Sequence, residues 1–121
     1  MTYNNQNIFA KILRGEIPCN KIYEDDYVLS FYDINPQKKI HALVIPKGKY
    51  IDLDDFNSNA SNEEIVGLMK GITTVSKKLG ISSIDGKGYR ALANISDYGG
   101  QEVPHLHFHL FGGEKVGKMV S

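Results

Sequence analysis

The chain has a single cysteine, Cys19, and no excess of charge of either sign. One cysteine excludes an intrachain disulfide and suits a reducing compartment, where Cys19 reads as a small buried or loop residue rather than a reactive thiol. Fourteen basic residues cancel fourteen acidic ones. No positive field therefore draws in bulk nucleic acid or a membrane surface, and any nucleotide ligand must be held by a specific pocket. Also missing is any apolar run of membrane-spanning length, and the polar opening from Met1 to Asn7 lacks the basic and apolar regions of a secretory leader. The expectation is a soluble, cytoplasmic protein with no nucleic-acid or membrane partner. There is no internal repeat, and 121 residues suit one globular domain that buries roughly two-thirds of its unfolded surface.

Histidine is scarce as well, yet three of the four lie at positions 105, 107 and 109. In a strand this spacing lines one face with imidazoles about 6 to 7 Å apart and turns Leu106, Phe108 and Leu110 to the other. Imidazole is largely neutral and easily protonated near neutral pH, so such a row can supply a nucleophile, hydrogen-bond donors and an acid. The same row is also a candidate metal site. A lone histidine in a strand is usually an ordinary polar residue, whereas three at this spacing seldom arise that way. His41 on its own is as readily a strand-end histidine as a functional one. Asp33-Ile34-Asn35-Pro36 and Gly99-Gly100, taken alone, are turn chemistry more often than ligand contacts.

The coarse pattern is two helices and about five strands, an α+β fold with a mainly antiparallel sheet. Apolar residues at 8, 9, 12 and 13 predict a short helix over 8–14, ended by Gly15 and Pro18. Lys21 to Tyr23 and Tyr27 to Tyr32 predict a hairpin around Glu24-Asp25-Asp26, and His41 to Ile45, nearly all apolar, predicts a central third strand. Asn57 to Ala60 reads as a loop. Ser61 to Glu64 has capping-box spacing, and Ile65, Leu68, Met69, Ile72, Val75 and Leu79 give one apolar helical face up to Gly80. A turn at Asp85 to Gly88, a fourth strand from Tyr89 to Asn94 and the loop Ser96 to Gly100 lead to the histidine strand.

His105-Leu106-His107-Phe108-His109-Leu110-Phe111 resembles the signature of the histidine triad (HIT) superfamily. The order Ile8-Phe9, Ile12, Gly15-Glu16-Ile17-Pro18, Phe31-Tyr32-Asp33-Ile34, Pro36-Gln37, His41, Val44-Ile45-Pro46-Lys47, Asn94, Gly99-Gly100-Gln101 and Gly112-Gly113 is similar to its nucleotide-binding branch. Galactose-1-phosphate uridylyltransferases usually carry glutamine as the third triad residue, and the fragile histidine triad dinucleoside polyphosphate hydrolases lack the Gly-Gly continuation.

The resemblance implies one HIT-like domain over residues 1–121, with a flexible N-terminus at 1–6, a C-terminal tail at 112–121, and a homodimer joining two five-stranded sheets. It implies a purine nucleoside phosphoramidase or nucleotidyl hydrolase that acts on phosphoramidates or acyl nucleotides. His107 would be the nucleophile and form a nucleotidyl-histidine. His109 would meet the phosphate or leaving group, while His41 and His105 would orient and pass protons. By the same resemblance Asp33 accepts from the ribose hydroxyls. Ile8, Phe9, Ile12, Phe31 and Ile34 enclose the base, and Asn94 with the Gly100-Gln101 backbone binds the phosphate of the monophosphate ligand.

No cofactor is implied. Where some bacterial members carry zinc-binding cysteines this chain has Asn7 and Ala10, with Lys49 at a third ligand place, so no metal is expected. Glu102 stands where eukaryotic relatives commonly have serine, and it either points away from the phosphate or meets a cationic leaving group. Three alternatives stay open: a dinucleoside polyphosphate hydrolase, a non-catalytic purine nucleotide-binding regulator, and a histidine-based metalloenzyme that chelation would inactivate.

Overall fold

Strand β3 (Ile40–Pro46) is buried along nearly its whole length, and the rest of the domain is arranged around that fact. In the computed structural model, which describes residues 2–119, it is the middle strand of a five-stranded sheet. The elements run α1 (Ile8–Leu13), β1 (Lys21–Glu24), β2 (Val28–Tyr32), β3, α2 (Leu53–Asn59), α3 (Asn62–Lys78), β4 (Arg90–Leu92) and β5 (Phe108–Gly112). The sheet order is β1-β2-β3-β5-β4, and each pairing is antiparallel.

Alternation along β2, β3 and β5 sorts the apolar residues onto two faces. Val28, Ala42, Val44, Leu106 and Leu110 join Leu68, Ile72 and Val75 of α3 in one cluster. Leu29, Phe31, Leu43 and Ile45 join Phe9 of α1 in the other. A continuous apolar run is the pattern expected of a strand covered on both sides, which accounts for the central position read from His41 to Ile45.

Helix α3 starts as expected. The Ser61 hydroxyl accepts from the Glu64 amide at 3.1 Å, and the Glu64 carboxylate accepts from the Ser61 amide at 3.1 Å. This capping box satisfies two of the helix's orphan donors. The helix ends beside Gly80, whose φ of +73° is a left-handed conformation natural to glycine. Met69, counted in the apolar stripe, is 47% exposed and does not belong to the core.

Three elements differ from expectation. Residues 57–59 lie in α2 rather than in a loop, which makes three helices rather than two among the described residues. Asp52 caps α2 by accepting from the Asp55 amide at 2.8 Å, and Phe56 anchors it, packed edge-on against Tyr50. With one buried anchor and weak helix formers at Asp54, Asn57, Ser58 and Asn59, a seven-residue helix leaves little periodicity to read. β4 is shorter than the expected 89–94, and β5 begins at Phe108 rather than at His105. The chain tightens before β5, where the His105 amide donates to the Val103 carbonyl at 2.9 Å and the Leu106 amide donates to the Tyr50 carbonyl.

Both ends of the described chain are tied to the body. The Tyr3 hydroxyl, within the six residues expected to be flexible, bonds His105. In the tail, the Arg90 guanidinium donates to the carbonyls of Gly117 and Lys118, and Glu114 accepts from the Lys39 amide. Val120 and Ser121, the last residues of the expected tail, lie outside the described residues. No helix among the described residues is long and apolar enough to cross a membrane.

Candidate active site

The register of β3 against β5 brings His41 and His109 together. His41 pairs with Phe111 and Leu43 with His109, so the two histidines are diagonal neighbours on one face of the sheet. His41 Nε2 and His109 Nδ1 are 2.9 Å apart. His107, just before β5, places its ring 5.0 Å from that of His109. Phe111 stacks parallel to His109 and also contacts His41.

The protons on these rings follow from their partners, because a carbonyl only accepts and an amide N–H only donates. The Gln37 amide donates to His41 Nδ1 at 3.1 Å, so the His41 proton sits on Nε2 and is given to His109 Nδ1. This bond is in line: the 5.2 Å between ring centroids equals the N···N distance plus one ring radius at each end. His109 therefore carries its own proton on Nε2, as an available donor. His107 Nδ1–H donates to the His105 carbonyl at 2.7 Å, and the Nε2 lone pair of His107 is left without a proton.

His105 is placed differently from the other three. Its ring is fully buried; Nε2–H donates to the Pro46 carbonyl at 2.9 Å, and Nδ1 accepts from the Tyr3 hydroxyl at 2.6 Å. No hydrogen bond among those described joins its ring to another histidine. Among the four rings the described hydrogen bonds join only His41 to His109, while His105 offers His107 its backbone carbonyl.

Burial pushes the affinity of all four imidazoles for a proton downward. His105 is held at about 4, chiefly by burial, with the Pro46 carbonyl opposing. His109 is also at about 4, from burial and then from the neighbouring His107 and His41. His107 is lowered by burial, against the pull of the His105 carbonyl, Asp33 and Glu102, and His41 by burial against Asp33. Near neutral pH the rings are neutral, the state in which a lone pair can attack.

Asp33 meets the turn with one oxygen and His41 with the other. Oδ1 accepts from the Asn35 amide at 2.8 Å, which is turn chemistry, while Oδ2 lies 3.5 Å from His41 Nε2. Phe9 and Phe31 are buried and pack edge-on, and Phe9 also meets the His107 ring 5.0 Å away. Ile12 is half-buried, whereas Ile8 and Ile34 are exposed, Ile34 at 86%. Asn94 is half-buried just past β4, and Glu102 is exposed but near enough for its charge to act on His107.

The loop before the triad is closed by its own backbone. The amides of Gly100 and Gln101 donate to the carbonyls of Asp97 and Ser96, both at 3.0 Å. Gly100, at φ +75°, closes this turn. The Gln101 side chain stitches the same loop by donating to Ile51 and Val103 and accepting from Ser96. These amides are engaged in the loop itself rather than being free donors for a phosphate.

Asp33, His41 and His109 offer ligand atoms within 4.8 Å of one another. They fit a cation poorly as arranged, since the lone pair of His109 Nδ1 faces the His41 proton rather than a point shared by the three residues. Asn7 and Ala10 have structural work: Asn7 Oδ1 accepts from the Ala10 amide at the start of α1, and Ala10 is buried.

The match to known proteins is extensive. The family model described as HIT domain covers residues 14–116. The chain belongs to the HIT family. It is 48% identical over 120 residues to a 13.2 kDa HIT-like protein of Azospirillum brasilense, covering 99% of this chain and 96% of that one. It is 40% identical over 116 residues to the purine nucleoside phosphoramidase of Escherichia coli K12, covering 96% and 94% respectively. The solved HIT family hydrolase of Clostridium thermocellum superposes with a TM-score of 0.85 at 35% identity, covering 98% of this chain and 99% of that one. For the histidine triad protein of Clostridium difficile the values are 0.82 and 38%, with 97% and 98% covered.

Tyr3, Gln37 and Phe111 are the site residues that reading the sequence for chemistry missed. Gln37 acts through its amide, which no side-chain pattern encodes, and Tyr3 lies in a stretch with no periodicity.

The lowered imidazoles make a pH prediction. Between pH 6.5 and about 4 the unfolded chain takes up protons at His105 and His109 that the folded chain refuses. Stability therefore falls as pH drops through that window and is flat above it. Calorimetry should show the Tm declining from pH 6.5 toward pH 4. A constant Tm across that span would mean that the rings titrate as they do in the unfolded chain.

Proposed function

We propose that this HIT protein is a purine nucleoside phosphoramidase, cleaving P–N bonds of adenosine or guanosine 5′-phosphoramidates or, by the same route, acyl nucleotides. The observation that carries the reading is the bond from His107 Nδ1–H to the His105 carbonyl. It directs the one unprotonated nitrogen of a buried, neutral ring outward as a nucleophile. Attack at the α-phosphorus breaks the bond to the leaving group and forms a nucleotidyl-His107. Beside it, His109 Nε2–H donates to a phosphoryl oxygen or to the departing nitrogen. Water then releases the monophosphate. No metal enters these steps. The name of the Escherichia coli relative supports the P–N class, and the name of a Candida albicans structure, a histidine triad nucleotide-binding protein, supports a nucleotide ligand.

In this reading the base lies against Phe9 and Phe31, with Ile8, Ile12 and Ile34 around it, the ribose reaches Asp33, and Asn94 meets the phosphate. The working unit is a homodimer, and the site is cytoplasmic. Supporting the dimer, β4 pairs among the described residues only with β5 and stands at the edge of the sheet, an edge that a second copy can cover. Sedimentation should then give twice the 13.5 kDa chain mass, and a single-chain mass at micromolar protein would remove the dimer from this account.

His107→Ala should abolish turnover of adenosine phosphoramidate, by about 1,000-fold or more, while adenosine monophosphate still binds. Acid-quenched wild-type protein should carry nucleotide on His107. Normal turnover by the variant, or faster turnover of a diadenosine polyphosphate by the wild type with or without chelator, would replace this function with another. Asp33→Asn should weaken binding of ribonucleotides severalfold more than of 2′-deoxynucleotides, because an amide cannot accept from both hydroxyls as a carboxylate does. An equal loss for both sugars would assign Asp33 to the turn alone.

A further inference from the structure

We infer that Tyr3 is a positioning residue for His107, acting through His105; the inference rests on His107 being the nucleophile. Tyr3 stands 102 positions from His105 in the chain, yet its hydroxyl lies 2.6 Å from His105 Nδ1 and its ring meets the imidazole edge-on. With Nε2–H given to the Pro46 carbonyl, both nitrogens of a fully buried ring are satisfied. Any rotation of that ring strands a buried donor or acceptor, which is costly. The amide of His105 is held too, by the Val103 carbonyl.

Residue 105 is thus pinned at its ring and at its amide, and its remaining polar atom is the carbonyl that orients His107 Nδ1–H. The same N-terminal segment holds the nucleophile from a second side. The Asn4 carbonyl accepts from the Asn7 side chain, Asn7 caps α1, and α1 carries Phe9, whose ring packs edge-on against both His105 and His107. Tyr3 touches no reacting group. Its hydroxyl makes one of the bonds that hold residue 105 in place, together with those to the Pro46 and Val103 carbonyls and the bond from the Leu106 amide, in the same peptide unit as the His105 carbonyl, to the Tyr50 carbonyl.

The test is Tyr3→Phe in the full chain, which keeps the ring and its edge contact and removes only the oxygen. Leaving Nδ1 without a donor should lower kcat for adenosine phosphoramidate roughly tenfold, as expected for a slightly misaimed nucleophile. KM and adenosine monophosphate affinity should stay within twofold. In 15N-labelled protein, solvent exchange of the His107 Nδ1–H proton should rise by about the same factor. Tyr27→Phe, which removes a hydroxyl from a side chain packed against α3, should change none of these.

Unchanged kcat and exchange in a folded Tyr3→Phe protein would overturn the inference. So would a loss that only follows a lowered Tm and leaves His107 exchange as in the wild type. If the wild type itself turns over no phosphoramidate, the proposed function fails separately. The exchange measurement still decides whether Tyr3 holds His107.

Discussion

Everything in this domain is arranged around a central strand that cannot be left wet on either side. Leu43 and Ile45 face one way, Ala42 and Val44 the other, and all four are buried. One face needs α3, which supplies Leu68, Ile72 and Val75; the opposite face needs α1, which supplies Phe9. A helix of 17 residues covers its side amply, while one of six covers its side only in part. The clustered histidines occupy that second side. His41 at the start of β3 and His109 on β5 continue the face that Leu43 and Ile45 begin, so hydrophobic packing and chemistry share one surface.

That sharing explains the electrostatics. Groups placed among core residues lose solvation, and an imidazole in such a setting favours its neutral form. Neutral rings each have one donor and one acceptor, and the arrangement gives every described nitrogen a complementary partner apart from two. The two left over are the lone pair of His107 and the N–H of His109. Among the described residues Asp33 adds the only carboxylate within ion-pair distance of His41, close enough to tune the rings without charging them.

Much of this could be read from the residues. The unbroken run from His41 to Ile45 marked the central strand, Ser61 and Glu64 marked the start of α3, and the collinear motifs marked the family before any coordinates. What escaped had physical reasons. Helix α2 depends on Phe56 docking against a core assembled from distant segments, which local propensity cannot register. The strict strand spacing of the triad placed His107 and His109 together but overstated the regularity at His105, where a main-chain bend turns the ring toward Tyr3 and Pro46. Gly99-Gly100 proved to be the turn that its composition suggested, and the amides expected to meet a phosphate close that turn.

The protonation pattern is written largely in the main chain. The Gln37 amide sets the proton of His41, the His105 carbonyl that of His107, and the Pro46 carbonyl that of His105. Any residue supplies a carbonyl, and any residue except proline supplies an amide. The side chains at positions 37 and 46 can therefore drift during evolution without disturbing which ring nitrogens carry protons, provided the backbone path is kept. Chemistry fixed in this way is buffered against substitution of its supporting residues and exposed mainly to changes that bend the chain.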